Sequence, residues 1–550
     1  MPSSELVHPS RKILLVVTTG GFTHASPVFE IGAVLASRGH TIEFATLDGQ
    51  EVWTKNYEFI TKVYTLGPGP TPEQMNAHYL RMRTWDISQG ISGTMPSKYL
   101  WDSFWPQTYR GLKLIMDDPS KRPSMMIADF FVDDAVKDIH VEYNLPIAQV
   151  WPQMPFLMMP CTYIPGEPGF QLEGTLTSEH ANLWHRIKNE LVIFLDLPVI
   201  MKWMKWTKEM RRKNGVTHPP HKMQKPDYLI FINSFLGLEI PRDLPPTCAP
   251  VGPLIADSYP PLSDECDRFL TSHTKVIYLA LGTHIILTNA DAAKIINGLL
   301  LLLQDGLLDG VIWSIPKSGR QDLDVNTTYN FGGKSLRLGD ILDGKNDDWL
   351  CSTFVPQRSI LDNASTKLFY THGGGSSANE GLFHGKNMLS MGVFMDQISN
   401  TARLVAGGVA ESLNKFRFTS EEIYIKAKKI LVDEDGSYKR NSLRLMRIAH
   451  VAARRKHHAA DLVEELIYDT ELRFKDGKEL RPMHLQTADM RMPVWKAKNW
   501  DLWAVGLLGI GAVFGGLGTG GRMLWLQRGW LTRSAKEFLL IQEWLRNLIK

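Results

Sequence analysis

The chain has 550 residues, 44% apolar and 22% charged, with a formal net charge of +3. Length predicts two or three domains with sizeable cores. Composition excludes an intrinsically disordered chain, and a charge this small for this length argues against the basic footprint of a nucleic-acid binder.

The opening stretch, MPSSELVHPSRKILLVV, lacks the apolar run of about 7–15 residues and the small-residue cleavage site of a secretory signal, which predicts a catalytic part kept in the cytosol. A first strand is expected over Ile13–Thr18, then a turn at Gly20-Gly21. A helix is expected from near Ser26-Pro27, because serine caps helices and proline suits the first helical position. Val28, Ile31, Val34 and Leu35 recur at helical spacing, Gly39 ends the run, and TIEFAT reads as the next strand. His24 is placed in the loop after the first strand, where an imidazole titrating near neutrality suits a general base. His40, in RGHTIEF, sits at a helix-to-strand turn and reads as structural.

In MMIADFFVDDA an apolar run ends at Asp129 and reads as another parallel strand of the same domain. A carboxylate there can orient His24 and stabilise its imidazolium. Asp133 and Asp134 read as acids of a helix's first turn. The stretch 191–213, LVIFLDLPVIMKWMKWTKEMRRK, is apolar and then basic. It suits either a membrane surface or a core helix with a solvated basic end. INSFLGLEIPRDLPPTCAPVGPLIADSYPP is proline-rich and reads as a linker, with a domain boundary near 250–260.

The second half repeats the pattern: strand VIYLALGT, helix DAAKIINGLLLLLQDG, strand GVIWSI. Two such alternations predict two doubly wound parallel sheets whose ligand crevices lie at the strand C-termini. Further on, LFYTHGGGSSANEGLFHG is a strand, a glycine turn and a helix, the geometry that builds phosphate sites from backbone N–H groups. Gly373, Gly375 and Ala378 satisfy the dinucleotide pattern G-x-G-x-x-A, with Asp396 about 20 residues further on, so a nicotinamide site is open at this point. Asp322-x-Asp324 and Asp433-x-Asp435 lie in polar, turn-like sequence, and no metal role is expected of them. The four cysteines have neither disulfide-framework nor zinc spacing and are expected as reduced thiols.

The block FVPQRSILDNASTKLFYTHGGGSSANEGLFHGKNMLSMGVFMDQ, Phe354 to Gln397, resembles the nucleotide-sugar signature of the UDP-glycosyltransferases. An aromatic-x-P-Q opens that signature, T-H-x-G-x-x-S-x-x-E sits in its middle, and D-Q closes it. GGFTHASP is similar to the family's N-terminal G-H-x-x-P region, INSFLGLE…PVGPL to its interdomain stretch, and LALGT to its phosphate turn. Residues 160–225 match no recognised pattern.

The resemblance implies two Rossmann-like domains facing across a cleft, the GT-B arrangement. The acceptor-binding domain would be residues 1–250 and the UDP-sugar-binding domain residues 251–480. It also implies roles. Phe354 would stack on uracil with Gln357 beside it, Glu380 would hold the ribose, and Thr283, His372, Gly374 and Ser377 the diphosphate. Asp396 and Gln397 would contact the sugar, His24 would be the base and Asp129 its partner. No cofactor or metal is implied. Asn387 and Gly392 stand where the family usually has proline, and Gly375-Ser376 replaces the plant-type Trp-Asn; the closing Gln397 suits glucose as the expected donor sugar, with glucuronic acid and xylose left open. The rival readings are an NAD(P) oxidoreductase built on Gly373 and Gly375, and a membrane-tethered binding protein with a relict sugar-nucleotide site.

The end of the chain resembles the anchor of the animal-type members. Leu502 to Gly521, LWAVGLLGIGAVFGGLGTGG, is 20 uncharged residues, roughly 30 Å as a helix and long enough to span a bilayer, with a buried hairpin as the alternative because eight of the residues are glycine. Trp500, Trp503, Trp525 and Trp530 suit interfacial anchors. The expectation is a connecting segment at 481–501, a transmembrane helix at 502–521 and a basic amphipathic tail at 522–550. The localisation expected is the endoplasmic reticulum membrane, with a lipophilic acceptor.

Overall fold

The computed structural model describes residues 7–155, 158–159, 161, 163–164, 176–222, 224–283, 285–331, 334–525 and 534–548. Residues Met1–Leu485 form one compact unit and Gln486–Lys550 a second.

The first unit contains two parallel sheets. The first has seven strands in the order β3-β2-β1-β4-β5-β6-β7: β1 Lys12–Val16, β2 Thr41–Thr46, β3 Ile60–Thr65, β4 Met125–Asp129, β5 Ile147–Trp151, β6 Leu229–Ile232 and β7 Cys248–Pro250. Its central strands are apolar at consecutive positions because helices cover both faces; Ile13, Leu14, Leu15 and Val16 are all fully buried. Strand order reverses between β1 and β4, and a switch point of this kind opens a crevice at the strand C-termini.

The second sheet draws on β8 Val276–Ala280, β9 Gly310–Ser314, β12 Trp349–Ser352, β13 Thr366–Thr371, β14 Met388–Ser390 and β15 Ala410–Ser412, in the order β12-β9-β8-β13-β14-β15. A separate hairpin pairs β10 Thr328–Phe331 with β11 Lys334–Arg337. The switch point of this second sheet lies between β8 and β13. The helix Lys456–Arg473 returns to the first sheet, where Ala459, Ala460, Val463, Leu466 and Ile467 join the core around Val28, Phe29 and Ile31. Lys456 is buried there between Glu30 at 3.1 Å and Asp257 at 2.9 Å.

Several expectations need correction. The first helix spans Phe22–Ser37, one turn earlier than the Ser26-Pro27 cap suggests. Gly21, with φ of 81°, supplies the cap, and Pro27 lies inside the helix, so His24 stands in the first turn and not in a loop. The proline-rich connector is not all linker, because Cys248–Pro250 adds β7 at the sheet edge, where proline is tolerated. The stretch 191–213 is two helices, Leu183–Leu195 and Leu197–Lys213, broken at Asp196-Leu197-Pro198. Its basic end is not wholly solvated, since Arg211 is buried in an ion pair with Asp138.

The largest correction concerns the C-terminal unit. Trp500–Trp525 is a continuous helix, yet among the described residues no helix is long and apolar enough to cross a membrane. Eight of the twenty residues from Leu502 to Gly521 are glycine, and each contributes no apolar side chain to a span. The expected transmembrane helix and the endoplasmic reticulum membrane localisation are therefore withdrawn. Trp530, Arg528 and Arg533 lie outside the described residues.

Candidate active site

The first switch point brings His24 and Asp129 together. Asp129 ends β4 and His24 follows β1, and His24 Nδ1 lies 2.9 Å from Asp129 Oδ2. The other carboxylate oxygen, Oδ1, accepts the Phe131 backbone N–H at 3.0 Å, which fixes the carboxyl plane. The Asp129 side chain is 4% exposed and that of His24 20%, so the imidazole is reachable and the carboxylate is not. Desolvation pulls the His24 pKa down, but the charge and hydrogen bond of Asp129, with a further contribution from Asp396, outweigh it and leave the pKa above 6.5. Gly20 makes room for the ring, because a Cβ there would sit 2.5 Å from the imidazole carbons. Phe131 stacks on His24 at 4.7 Å and Phe130 lies 5.6 Å away, and Trp101 and Trp151 extend this aromatic wall.

The second switch point holds the glycine turn. β13 ends at Thr371, whose Oγ1 accepts the Gly373 N–H at 3.3 Å. Gly373 has φ of 74°, a region open to glycine. Gly374 caps the helix Gly375–Phe383 without a side-chain hydrogen bond, so the first-turn N–H groups are left without a side-chain cap. The His372 ring is wedged between Gly282 and Gly374: a Cβ at either would come within 2.8 or 2.4 Å of it. Desolvation there, against a hydrogen bond to the Ala280 backbone, takes the His372 pKa down to about 4, so the ring is neutral at physiological pH. Thr283 is exposed just beyond β8 on the same crevice.

Glu380, on the helix that Gly374 caps, accepts from Gln357 Nε2 at 2.7 Å, and Gln357 Oε1 accepts from the Tyr278 hydroxyl at 3.0 Å. Desolvation raises the Glu380 pKa against the opposing effects of Gln357 and Arg358. Phe354, in the loop before Gln357, is 83% exposed, an aromatic face with nothing stacked on it.

Asp396 and Gln397 open the helix Asp396–Ala406. Gln397 Oε1 accepts the backbone N–H groups of Val393 and Phe394 at 3.2 and 3.3 Å, so its carbonyl shapes the preceding loop. Asp396 Oδ2 accepts from Asn400 Nδ2 at 3.0 Å. Desolvation raises its pKa, while His24 and Arg403 oppose that shift by charge.

Sequence reasoning missed the contacts that join these halves. Arg403 pairs with Glu239 of the connector and donates to Gln153, which follows β5, at 3.0 Å. The available signal was the spacing of Asp396, Asn400 and Arg403, which puts all three on one helix face.

Other candidates have structural partners. His40 accepts from the Arg11 N–H and bonds Glu464. Asp133 and Asp134 lie in the first turn of Asp133–Tyr143. Asp322 pairs with Arg83, and Asp324, Asp433 and Asp435 accept backbone N–H groups in turns. All four cysteines are free thiols. Among the described residues one group, Asp138, His218 and His221, has ligand atoms close enough for a metal. Asp138 already accepts from Trp105, Arg211 and His221, and the Arg211 charge opposes a cation there.

Residues 154–464 match the profile of the family described as "UDP-glucoronosyl and UDP-glucosyl transferase". The chain is 41% identical over 524 residues to UDP-glycosyltransferase FPY2 of Fusarium mangiferae, covering 90% of this chain and 95% of that one. It is 41% identical over 509 residues to UDP-glycosyltransferase stmC of Aspergillus ustus, covering 90% and 94%. The fold is similar to the crystal structure of the glycotransferase of kitacinnamycin, with a TM-score of 0.57 at 16% identity, covering 83% of this chain and 98% of that one. It is also similar to Os79 of O. sativa, solved with U2F and trichothecene, with a TM-score of 0.56 at 15% identity, covering 82% and 99%. With two parallel α/β domains of the GT-B type and this degree of likeness, the chain belongs to the UDP-glucuronosyl and UDP-glucosyl transferase family and is a UDP-glycosyltransferase.

Proposed function

We propose that the enzyme transfers a hexose, glucose in the first instance, from UDP to a hydroxyl of a lipophilic small molecule, with inversion at the anomeric carbon. The observation that carries this reading is the pair of His24 Nδ1 and Asp129 Oδ2, 2.9 Å apart at the C-terminal end of the first sheet with the imidazole still reachable. On the second sheet's side, Asp396 Oδ2 and Pro152, which follows β5, both lie 3.8 Å from where a Cβ on Gly375 would stand.

With Nδ1–H donated to Asp129, His24 presents Nε2 to the acceptor hydroxyl and takes its proton as the oxygen attacks the anomeric carbon. Asp129 stabilises the imidazolium. The bond to the UDP oxygen breaks on the opposite face, and the diphosphate takes the bonding pair. The first-turn N–H groups of the Gly375 helix, neutral His372, Ser377 and Thr283 stabilise that charge. Phe354 stacks on uracil, and Gln357 and Glu380 hold the ribose side. Gln397 offers the sugar its amide nitrogen, since its carbonyl is committed to the loop. The lipophilic acceptor is supported by the aromatic wall of Phe130, Phe131, Trp101 and Trp151 beside His24.

Proton NMR of the product tests the reading. A β-linked glucoside formed from α-configured UDP-glucose supports it. An α-linked product overturns inversion, and turnover with UDP-glucuronic acid or UDP-xylose but not UDP-glucose replaces the donor.

A further inference from the structure

We propose that Arg403 is a positioning residue: held by Glu239 and Gln153, it aims Asp396 at the donor sugar through Asn400. This rests on the reading above that Asp396 contacts that sugar.

Arg403 lies on the Asp396–Ala406 helix and is 2% exposed. Its guanidinium touches three parts of the chain at once. One nitrogen pairs with the carboxylate of Glu239, itself 4% exposed, on the connector between the sheets. Nη2 donates to Gln153 Oε1 at 3.0 Å, on the segment after β5 of the first sheet. The same Nη2 donates to Asn400 Oδ1 at 2.6 Å. Ser399 Oγ donates to Gln153 Oε1 at 3.1 Å and so doubles the bridge to the first sheet.

The consequence lies in Asn400. An asparagine amide turned either way occupies the same volume, so only its partners decide which end faces Asp396. With Oδ1 held by Arg403, Nδ2 must face Asp396, and it donates to Oδ2 at 3.0 Å. That bond holds the Asp396 carboxylate in one orientation. The carboxylate stands close to the first turn of the Gly375 helix and to Pro152: a Cβ on Gly375 would be 3.8 Å from both Asp396 Oδ2 and the Pro152 side chain. Glu239 and Gln153 therefore reach the donor-sugar carboxylate through one guanidinium. A lysine cannot reproduce this, because its single ammonium lacks the planar fork that serves three acceptors.

The test compares Arg403→Lys, Asn400→Ala, Gln153→Ala and Asp396→Asn on the full chain. It reads kcat, KM for UDP-glucose, selectivity among UDP-glucose, UDP-xylose and UDP-glucuronic acid, and Kd for UDP. The expected result is that Arg403→Lys and Asn400→Ala each raise KM for the UDP-sugar about tenfold and flatten selectivity, with Kd for UDP held within about twofold. The double variant should be no worse than either single one, because both act on one path. Gln153→Ala keeps the buried ion pair intact and should show the same change more weakly, which preserves the test if Arg403→Lys fails to fold. Additive effects of Arg403→Lys and Asn400→Ala, or an equal loss of UDP and UDP-sugar affinity, would overturn the proposal. If Asp396→Asn alters donor KM and selectivity while the other three leave both unchanged, positioning fails and the donor reading survives. If Asp396→Asn changes neither, the donor reading itself fails.

Discussion

His24 Nδ1 and Asp129 Oδ2 stand 2.9 Å apart although 105 residues separate them in sequence. The pair exists because β1 and β4 are neighbours at the strand-order reversal, so the residues after both strands share one crevice. Replacing His24 by alanine is expected to lower kcat by about 10²–10⁴-fold with UDP affinity unchanged. Asp129→Asn keeps the shape but no longer favours the tautomer with Nδ1–H, and should lower kcat by a comparable factor. Steady-state rates alongside calorimetric UDP binding check both.

The pH profile follows from the same pair. The His24 pKa lies above 6.5, and a general base must be unprotonated, so kcat/KM should fall as pH drops through that raised pKa. In Asp129→Asn the acid limb should move to lower pH. Stability runs the other way. The folded state holds this proton more tightly than the unfolded one, so the His24–Asp129 contribution is fully present below 6.5 and is lost as pH rises through the folded value. A limb that stays in place in Asp129→Asn contradicts the assignment.

His372 has the opposite sign. Its folded pKa of about 4 lies below the ordinary 6.5, so the unfolded chain binds the proton first. Stability should rise with pH between those values, by about 3 kcal/mol in total for this ring. Denaturant melts of the wild type and His372→Gln between these pH values check it: the slope should be shallower in the variant.

Phe354 separates binding from folding. At 83% exposure it supports no core, while a stacked base is worth about 1–3 kcal/mol. Phe354→Ala should weaken UDP binding by about tenfold and leave Tm unchanged. A fall in Tm of several degrees would mean the ring packs elsewhere in solution.

Gly374 tests the anion site. A Cβ there would lie 2.4 Å from His372 Nε2, so the imidazole must move. Gly374→Ala is expected to cost about 1–3 kcal/mol of stability and to weaken UDP more than uridine, because the displaced group serves the diphosphate. Calorimetry with both ligands reads the difference.

The residues that carry these predictions were legible for a physical reason. Asp129, Thr371 and the Gly373 turn each follow an apolar run typical of a strand buried on both faces, and a strand's C-terminal end is where a doubly wound sheet binds. The first helix was placed a turn late because Ser26-Pro27 has the chemistry of a cap, whereas the chain uses the left-handed freedom of Gly21. β7 was hidden because Pro250 reads as a breaker, and at an edge it is not one. In the tail, twenty uncharged residues suggest a span, but eight of them are glycine and bring no apolar side chain to it. The link from Glu239 through Arg403 to Gln153 joins positions up to 250 residues apart. The spacing of Asp396, Asn400 and Arg403 marks one helix face, but it does not name Glu239 or Gln153, which meet that face only once both sheets have formed.

The central claim is that His24 removes the acceptor proton in a reaction whose diphosphate is stabilised by backbone and side-chain donors. The direct measurement is UDP release from UDP-glucose, in EDTA, with a panel of lipophilic alcohols and phenols, for the wild type and His24→Ala, with UDP binding measured on both. The wild type is expected to show acceptor-dependent release that persists in EDTA, and His24→Ala to lose it with UDP affinity retained. Wild-type rates in His24→Ala, or release that EDTA abolishes, would contradict it.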